Sequence, residues 1–217
     1  MRLGVCILTD GGWAERGPLW RRAEQMGFHS AWTYDHLRWS RIPGPWITSL
    51  PVLAAAAATT SRIRLGTLVS TPNFRNPILF AKEVVALDDV SDGRITVGLG
   101  AGGPGSDAGV LGDPAPPPGE RAARFAEFAD CLDHLLRADG ETRVAGARWR
   151  SDQVQMGPGC RQRPRVPLYM AATGRRGLAA VDWDADAWVT LDAPSGRGSL
   201  DDGLAEVRRH LDRLERA

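Results

Sequence analysis

The chain has 217 residues, a formal net charge of +1, 43% apolar and 24% charged residues. That length suits one well-buried domain and is short for two, and no apolar run approaches the roughly 18 residues of a membrane span. Basic and acidic residues are interspersed, so no segment carries the footprint of a nucleic-acid or lipid-surface binder; a small-molecule partner and a soluble, cytoplasmic protein are expected.

Cys6, Cys131 and Cys160 are odd in number and far apart, which argues against a disulfide framework and against a zinc site. No metal-ligand spacing joins any two of the four histidines.

A strand signal covers residues 3–8. After the Gly11-Gly12 turn comes a helix over about 18–26, with Gly27 where a left-handed C-terminal cap belongs. The second strand spans 29–34. A Trp- and Pro-rich loop over 37–48 leads to an Ala-rich helix over 50–60, and the third strand is 63–69. Asn76 and Pro77 read as N-cap and first helical residue of a helix whose apolar face carries Leu79, Val84, Leu87 and Val90. Gly93 closes it, and the fourth strand is 94–99.

A Gly/Pro-rich stretch over 100–119 is long for a loop, which marks it as functional or mobile. It precedes a helix over 120–136 with Phe125, Phe128, Leu132 and Leu135 on its inner stripe. Residues 142–155 alternate like a small hairpin and 158–167 read as a linker. Strand five is 166–171, a short helix 174–182, strand six 185–191, and an amphipathic helix over about 200–214 ends the chain. Strands alternating with helices predict a mainly parallel α/β sheet, a (β/α) barrel of about six of eight units. One domain over 1–217 is expected, with a loop and hairpin insertion at about 100–165.

Four motifs carry chemistry. Gly98-Leu-Gly100-Ala-Gly102-Gly103 satisfies G-x-G-x-x-G after a strand, but the prolines that follow postpone the helix a dinucleotide fold requires, so close approach of backbone to a flat ligand is the better reading. Thr173-Gly174-Arg175-Arg176-Gly177 follows strand five and opens a helix; it is as compatible with a phosphate cradle as with an ordinary βα turn. Asp35-His36 ends strand two, on the face where parallel-barrel chemistry assembles, and a histidine there can exchange a proton near neutral pH. Taken alone, a satisfied structural histidine is the better reading. Ser70, Thr71 and Asn73 put polar groups at the end of strand three, and Trp13, Trp32, Trp39 and Trp46 can wall an aromatic-ligand pocket or pack in the core.

In this order and at these spacings, the segments 23–36, 60–67, 72–77, 87–102, 171–177 and 186–188 resemble the luciferase-like monooxygenase family of flavin- and deazaflavin-dependent oxidoreductases. The resemblance covers about residues 1–191. It implies a bacterial luciferase-like TIM barrel that holds FMN or the 8-hydroxy-5-deazaflavin coenzyme F420 over the ends of strands two to four.

By position, the resemblance makes His36 the catalytic histidine and Asp35 a cofactor-binding neighbour. Leu68-Val69 becomes a non-prolyl cis peptide bulging toward the ring, Thr71 a hydrogen-bond partner at the ring edge, and Gly102 the room for the ring. Thr173, Gly174 and Gly177 become the phosphate site. It further implies a homodimer pairing through helices two and three, the Ala-rich run 53–58 allowing close approach, with the final helix folding over an open sheet edge as the other route. A separate flavin or F420 reductase is an expected partner.

Two departures stand out: Gly103 occupies the place where some deazaflavin-dependent members carry an acidic residue, and six βα units are counted where full-length relatives have eight. The expected function is therefore an oxidoreductase acting on a small organic substrate. A non-catalytic flavin-binding accessory protein is the main alternative. A phosphate-handling hydrolase is disfavoured because the strand ends hold neither paired carboxylates nor a metal cluster.

Overall fold

The structure, a computed structural model, describes residues 2–39, 44–103, 106–113, 116–171 and 185–189. Within them, six parallel strands form one sheet in the order β1 (Gly4–Cys6), β2 (Ser30–Thr33), β3 (Arg64–Ser70), β4 (Ile95–Gly100), β7 (Leu168–Ala171) and β8 (Ala187–Val189). Sheet order follows chain order, as consecutive βα units require, and the parallel six-strand reading holds. The helices are α1 (Trp13–Gln25), α2 (Ser49–Thr59), α3 (Pro77–Val90), α4 (Ser106–Val110) and α5 (Pro118–Arg137). Between α5 and β7, β5 (Glu141–Ala145) and β6 (Arg150–Gln155) form the expected antiparallel hairpin.

Strand alternation sorts the sheet into two faces. Ala31, Leu65, Ile95, Val97 and Leu168 are buried in one core with Trp20, Leu53, Phe80, Phe125 and Phe128 of the helices. Trp32, Gly66 and Thr96 are in register, as are Gly98 and Tyr169, and they alternate with that buried set. On that face Trp32 lies 5.6 Å from Tyr169, ring centre to ring centre, although β3 and β4 separate their strands. Gly66 permits the crossing: a Cβ there would stand 2.6 Å from the Trp32 ring.

The element boundaries show what local signals resolve. Asn76 caps α3 as expected, its Oδ1 accepting the N–H groups of Ile78 at 2.9 Å and Leu79 at 3.4 Å, with Pro77 in the first turn. Gly27 and Gly93 take the left-handed conformation, at φ +81° and +74°. The inner stripe of α5 is buried as read.

Two expectations are corrected. α1 starts at Trp13, not Pro18, because the Gly12 carbonyl accepts from Glu15 and Arg16 and the helix runs through the proline, giving up one backbone bond. The buried face of α3 is Phe80, Ala81, Val84, Val85, Leu87 and Asp88, whereas Leu79 and Val90 are 61% and 53% exposed. Both stripes satisfy helical spacing; Phe80, the largest apolar side chain of the helix, sits on the one that packs against α5, where it stacks on Phe128 at 6.1 Å. The expected helices over 174–182 and 200–214 lie outside the described residues.

Candidate functional site

The C-terminal ends of β2, β3 and β4 bring the candidate residues together. β2 ends at Thr33 and delivers Tyr34, Asp35 and His36. β3 carries a register shift between Thr67 and Ser70, and the Leu68-Val69 peptide within it is cis, at the position the resemblance implied. β4 runs out through Gly100 to Gly102, which has φ +72°. A Cβ at Gly102 would fall 2.2 Å from Asn73 Nδ2, so only glycine fits against Asn73 there.

His36 is held rather than loose. Its Nδ1 lies 2.7 Å from Oδ2 of Asp107, and the other Asp107 oxygen accepts the backbone N–H of Leu37 at 2.8 Å and of Arg38 at 3.3 Å. One carboxylate from α4 thus ties the segment after β4 to the segment after β2. Burial pushes the Asp107 carboxyl upward, but the His36 hydrogen bond and charge and the two backbone N–H groups prevail and bring it below the ordinary aspartate range. The carboxylate is ionised at neutral pH and can only accept, so the proton between them sits on Nδ1 of His36, and Nε2 is an acceptor whenever the ring carries a single proton. The imidazole lies against Trp39 at 4.4 Å with the rings tilted by 33°, and Tyr34 and Trp46 are edge-on at 6.4 and 6.3 Å. The aromatic wall therefore draws on Tyr34, Trp39 and Trp46, while Trp32 lies over the sheet and Trp13 packs against the core.

Thr71 and Asn73 are buried beside Gly102. The Thr71 hydroxyl oxygen accepts the Asn73 N–H at 2.9 Å and keeps its own proton to donate. Asn73 Oδ1 is buried without a protein partner, an open acceptor next to the glycine strip. Asp35 differs from expectation: its side chain has no exposed surface and both oxygens are taken by Ser49, Ser70 and Arg75, so it braces the site instead of facing a ligand. Thr173, Gly174 and Gly177 lie outside the described residues; β7, which precedes them, leaves the sheet at Ala171 beside Gly100, at the same end as the His36 cluster.

Asp107, Ser49 and Arg75 escaped the sequence reading. Asp107 stands four residues beyond Gly103, in a short helical turn with no strong local signal. Among the described residues no group of three or more His, Cys, Asp or Glu side chains converges on a metal position, and no helix is long and apolar enough to cross a membrane.

A flat ring with hydrogen-bonding edges fits this arrangement. The register shift at Leu68-Val69, the left-handed Gly102, the donor at Thr71 and the open acceptor at Asn73 together offer a face with few side chains and two polar edges.

The model of the family described as luciferase-like monooxygenase matches residues 1–216. The F420-dependent glucose-6-phosphate dehydrogenase of Beutenbergia cavernae is 39% identical over 81% of this chain and 51% of its own length. The 4-hydroxyprotoasukamycin monooxygenase of Streptomyces nodosus subsp. asukaensis is 33% identical over 88% of this chain and 52% of its own. The chain thus spans about half the length of these two curated relatives. Among solved structures, an F420-dependent secondary alcohol dehydrogenase superposes with a TM-score of 0.78 at 22% identity, over 97% of this chain and 65% of that one. The coenzyme F420-dependent tetrahydromethanopterin reductase of Methanopyrus kandleri gives 0.74 at 22% identity, over 99% and 62%. At that identity the likeness is one of fold.

Proposed function

This chain belongs to the luciferase-like monooxygenase family, and on that premise we propose that it forms the coenzyme site of an oxidoreductase that uses the deazaflavin F420 and acts on a small organic substrate. The observation that carries the reading is the 2.7 Å His36–Asp107 pair, set at the strand ends beside the Leu68-Val69 bulge. F420 is preferred to FMN because the relative at 39% identity is named for it.

Leu68, Val69, Thr71, Asn73 and Gly102 would hold the ring, and Thr173, Gly174 and Gly177 the phosphate end. When bound, the coenzyme supplies the hydride acceptor or donor. The protein's own part is the proton. Asp107 keeps Nδ1–H of His36 engaged, which would leave Nε2 to take the proton of a substrate hydroxyl on oxidation and to return it to a carbonyl oxygen on reduction. Tyr34, Trp39 and Trp46 shield the imidazole from water. A separate reductase that supplies reduced coenzyme belongs to this proposal where the substrate is reduced or oxygenated.

Titration of the purified chain with F420 and with FMN, oxidised and reduced, followed by coenzyme fluorescence, tests the reading. Saturable binding of F420, weakened by Gly102→Val, is expected. Failure of both coenzymes to bind overturns it, preferential binding of reduced FMN selects the monooxygenase form suggested by the second relative, and binding without hydride transfer selects a non-catalytic accessory protein.

A further inference from the structure

The Asp35 carboxylate joins two of the three strand-end segments that form the candidate site, those after β2 and β3. Oδ1 accepts from Ser49 Oγ at 2.6 Å and Arg75 Nη2 at 2.7 Å; Oδ2 accepts from Ser70 Oγ at 2.6 Å and Arg75 Nε at 3.1 Å. Ser49 is the first residue of α2, Ser70 the last of β3, and Arg75 lies just before the cap of α3. His36 is the covalent neighbour of Asp35, and Val69 and Thr71 are the neighbours of Ser70. The group that could slide His36 relative to the bulge is therefore pinned from both sides by one carboxylate.

We propose that Asp35 is a positioning residue that fixes the distance between His36 and the Leu68-Val69 bulge, and with it the width of the coenzyme slot, without touching the coenzyme. The inference rests on the coenzyme-site reading above. An apolar filler could provide cohesion at this place, since buried ion pairs add little stability over well-packed hydrophobic groups. What four directed hydrogen bonds add is geometry: each constrains an angle as well as a distance, and Arg75 binds in bidentate fashion. Arg75 is itself fixed, its guanidinium lying over the Phe74 and Phe80 rings at 4.9 and 5.4 Å. Its second carboxylate, Glu83, stands further off at 3.6 Å.

The fold contains its own control. Asp88 is equally buried, and it accepts from Arg161 N at 2.7 Å, Gln162 N at 3.0 Å and Gln162 Nε2 at 2.8 Å. It sits near the C-terminal end of α3, before β4 begins, and touches none of the ring segments. Asp35→Asn and Asp88→Asn remove the same charge from similar burial at opposite ends of the sheet.

The experiment measures F420 affinity by fluorescence titration and, without coenzyme, the backbone amide shifts of His36 and Val69 by NMR. Asp35→Asn is expected to weaken F420 binding by about tenfold or more, the scale at which removal of an orienting group weakens ligands in metal centres, and to move both amide shifts. Asp88→Asn is expected to lower thermal stability while leaving affinity and both shifts at parental values. Ser70→Ala keeps the ion pair and removes only the bond beside Val69, so it carries the test should Asp35→Asn not fold. Parental affinity and shifts in folded Asp35→Asn or Ser70→Ala overturn the proposal, as does an equal loss of affinity in Asp88→Asn. A parent chain that binds no F420 instead overturns the coenzyme reading and is distinguished by its unaltered fluorescence.

Discussion

His36 is useful only if its ring is held and its proton assigned, and both depend on Asp107. His36→Ala is expected to reduce turnover by about 10²- to 10⁴-fold, the usual contribution of a positioned acid–base group, with the far-ultraviolet spectrum unchanged; unaltered turnover would return the histidine to a structural role. Asp107→Asn keeps the side-chain shape, but its amide can no longer favour Nδ1–H with a charge, so kcat is expected to fall more than KM rises. The pH dependence has a definite sign. The Asp107 carboxyl lies below its ordinary value when folded, so the clamp's contribution is complete above the unfolded aspartate value of about 3.9 and is lost as pH falls through the lowered folded one. Asp107 was not legible in the sequence. α4 is a five-residue helix in a Gly/Pro loop, and what it gains on forming is contact with a histidine 71 positions earlier, a tertiary effect that no local pattern encodes.

At the scale of the element, caps were readable where the donor and acceptor are neighbours in sequence and unreadable where they are not. Asn76 announces α3 because the cap and the amides it satisfies are two and three residues apart. Asn76→Ala should cost about 1 kcal/mol and lower the melting temperature by about 2–4 °C for a chain of this size, as calorimetry would record. Glu24 caps across a longer gap: its Oε1 accepts the backbone N–H groups of Ser61, Arg62 and Ile63 at 2.9, 2.7 and 3.0 Å, fastening the end of α1 to the start of β3.

Burial pushes the Glu24 carboxyl up, but those three amides outweigh it and bring it down to about 2 from 4.5. A depressed folded value means the stabilisation is whole above pH 4.5 and disappears as pH falls toward 2. Glu24→Gln should therefore be less stable than the parent at pH 7 and approach it near pH 2 in urea titrations; a constant difference across that range would show the charge to be irrelevant. In the α3 stripe Val84 and Leu87 are buried as read, while Leu79 and Val90 are exposed for another reason. Leu79 and Val90 obey helical spacing as well as Phe80 and Val85 do, and only packing against α5 decides between the two faces.

For the whole molecule, the parallel six-strand order was legible because each strand signal outside the 142–155 hairpin was followed by a helix signal before the next. Which surface joins two copies was not, since it depends on what the fold leaves exposed. The one-domain reading of 1–217 stands as a proposal that a single calorimetric transition would support. We propose a homodimer; apart from Val110 and Leu111 at the end of α4, the exposed large apolar side chains of the described residues fall at two places.

One is the edge of β1, which pairs with β2 on one side and has no strand on the other among the described residues. Leu3, Leu19 and Met26 are 57%, 41% and 62% exposed around it, beside a groove lined by Val5, Ile7 and Phe28. The other is the outer surface of α2 and α3. Much of the Ala-rich run is spent inside the chain, with Leu53, Ala56 and Ala57 buried, so close approach there falls to Ala58, Leu79 and Val90. A dimer through α2 and α3 leaves both sheet ends, and so the His36 cluster, open to ligand. In sedimentation experiments Leu79→Glu is accordingly expected to convert the dimer to monomer, while Met26→Glu leaves it intact. The reverse pattern would move the interface to the β1 edge, and a monomeric parent would remove the dimer altogether.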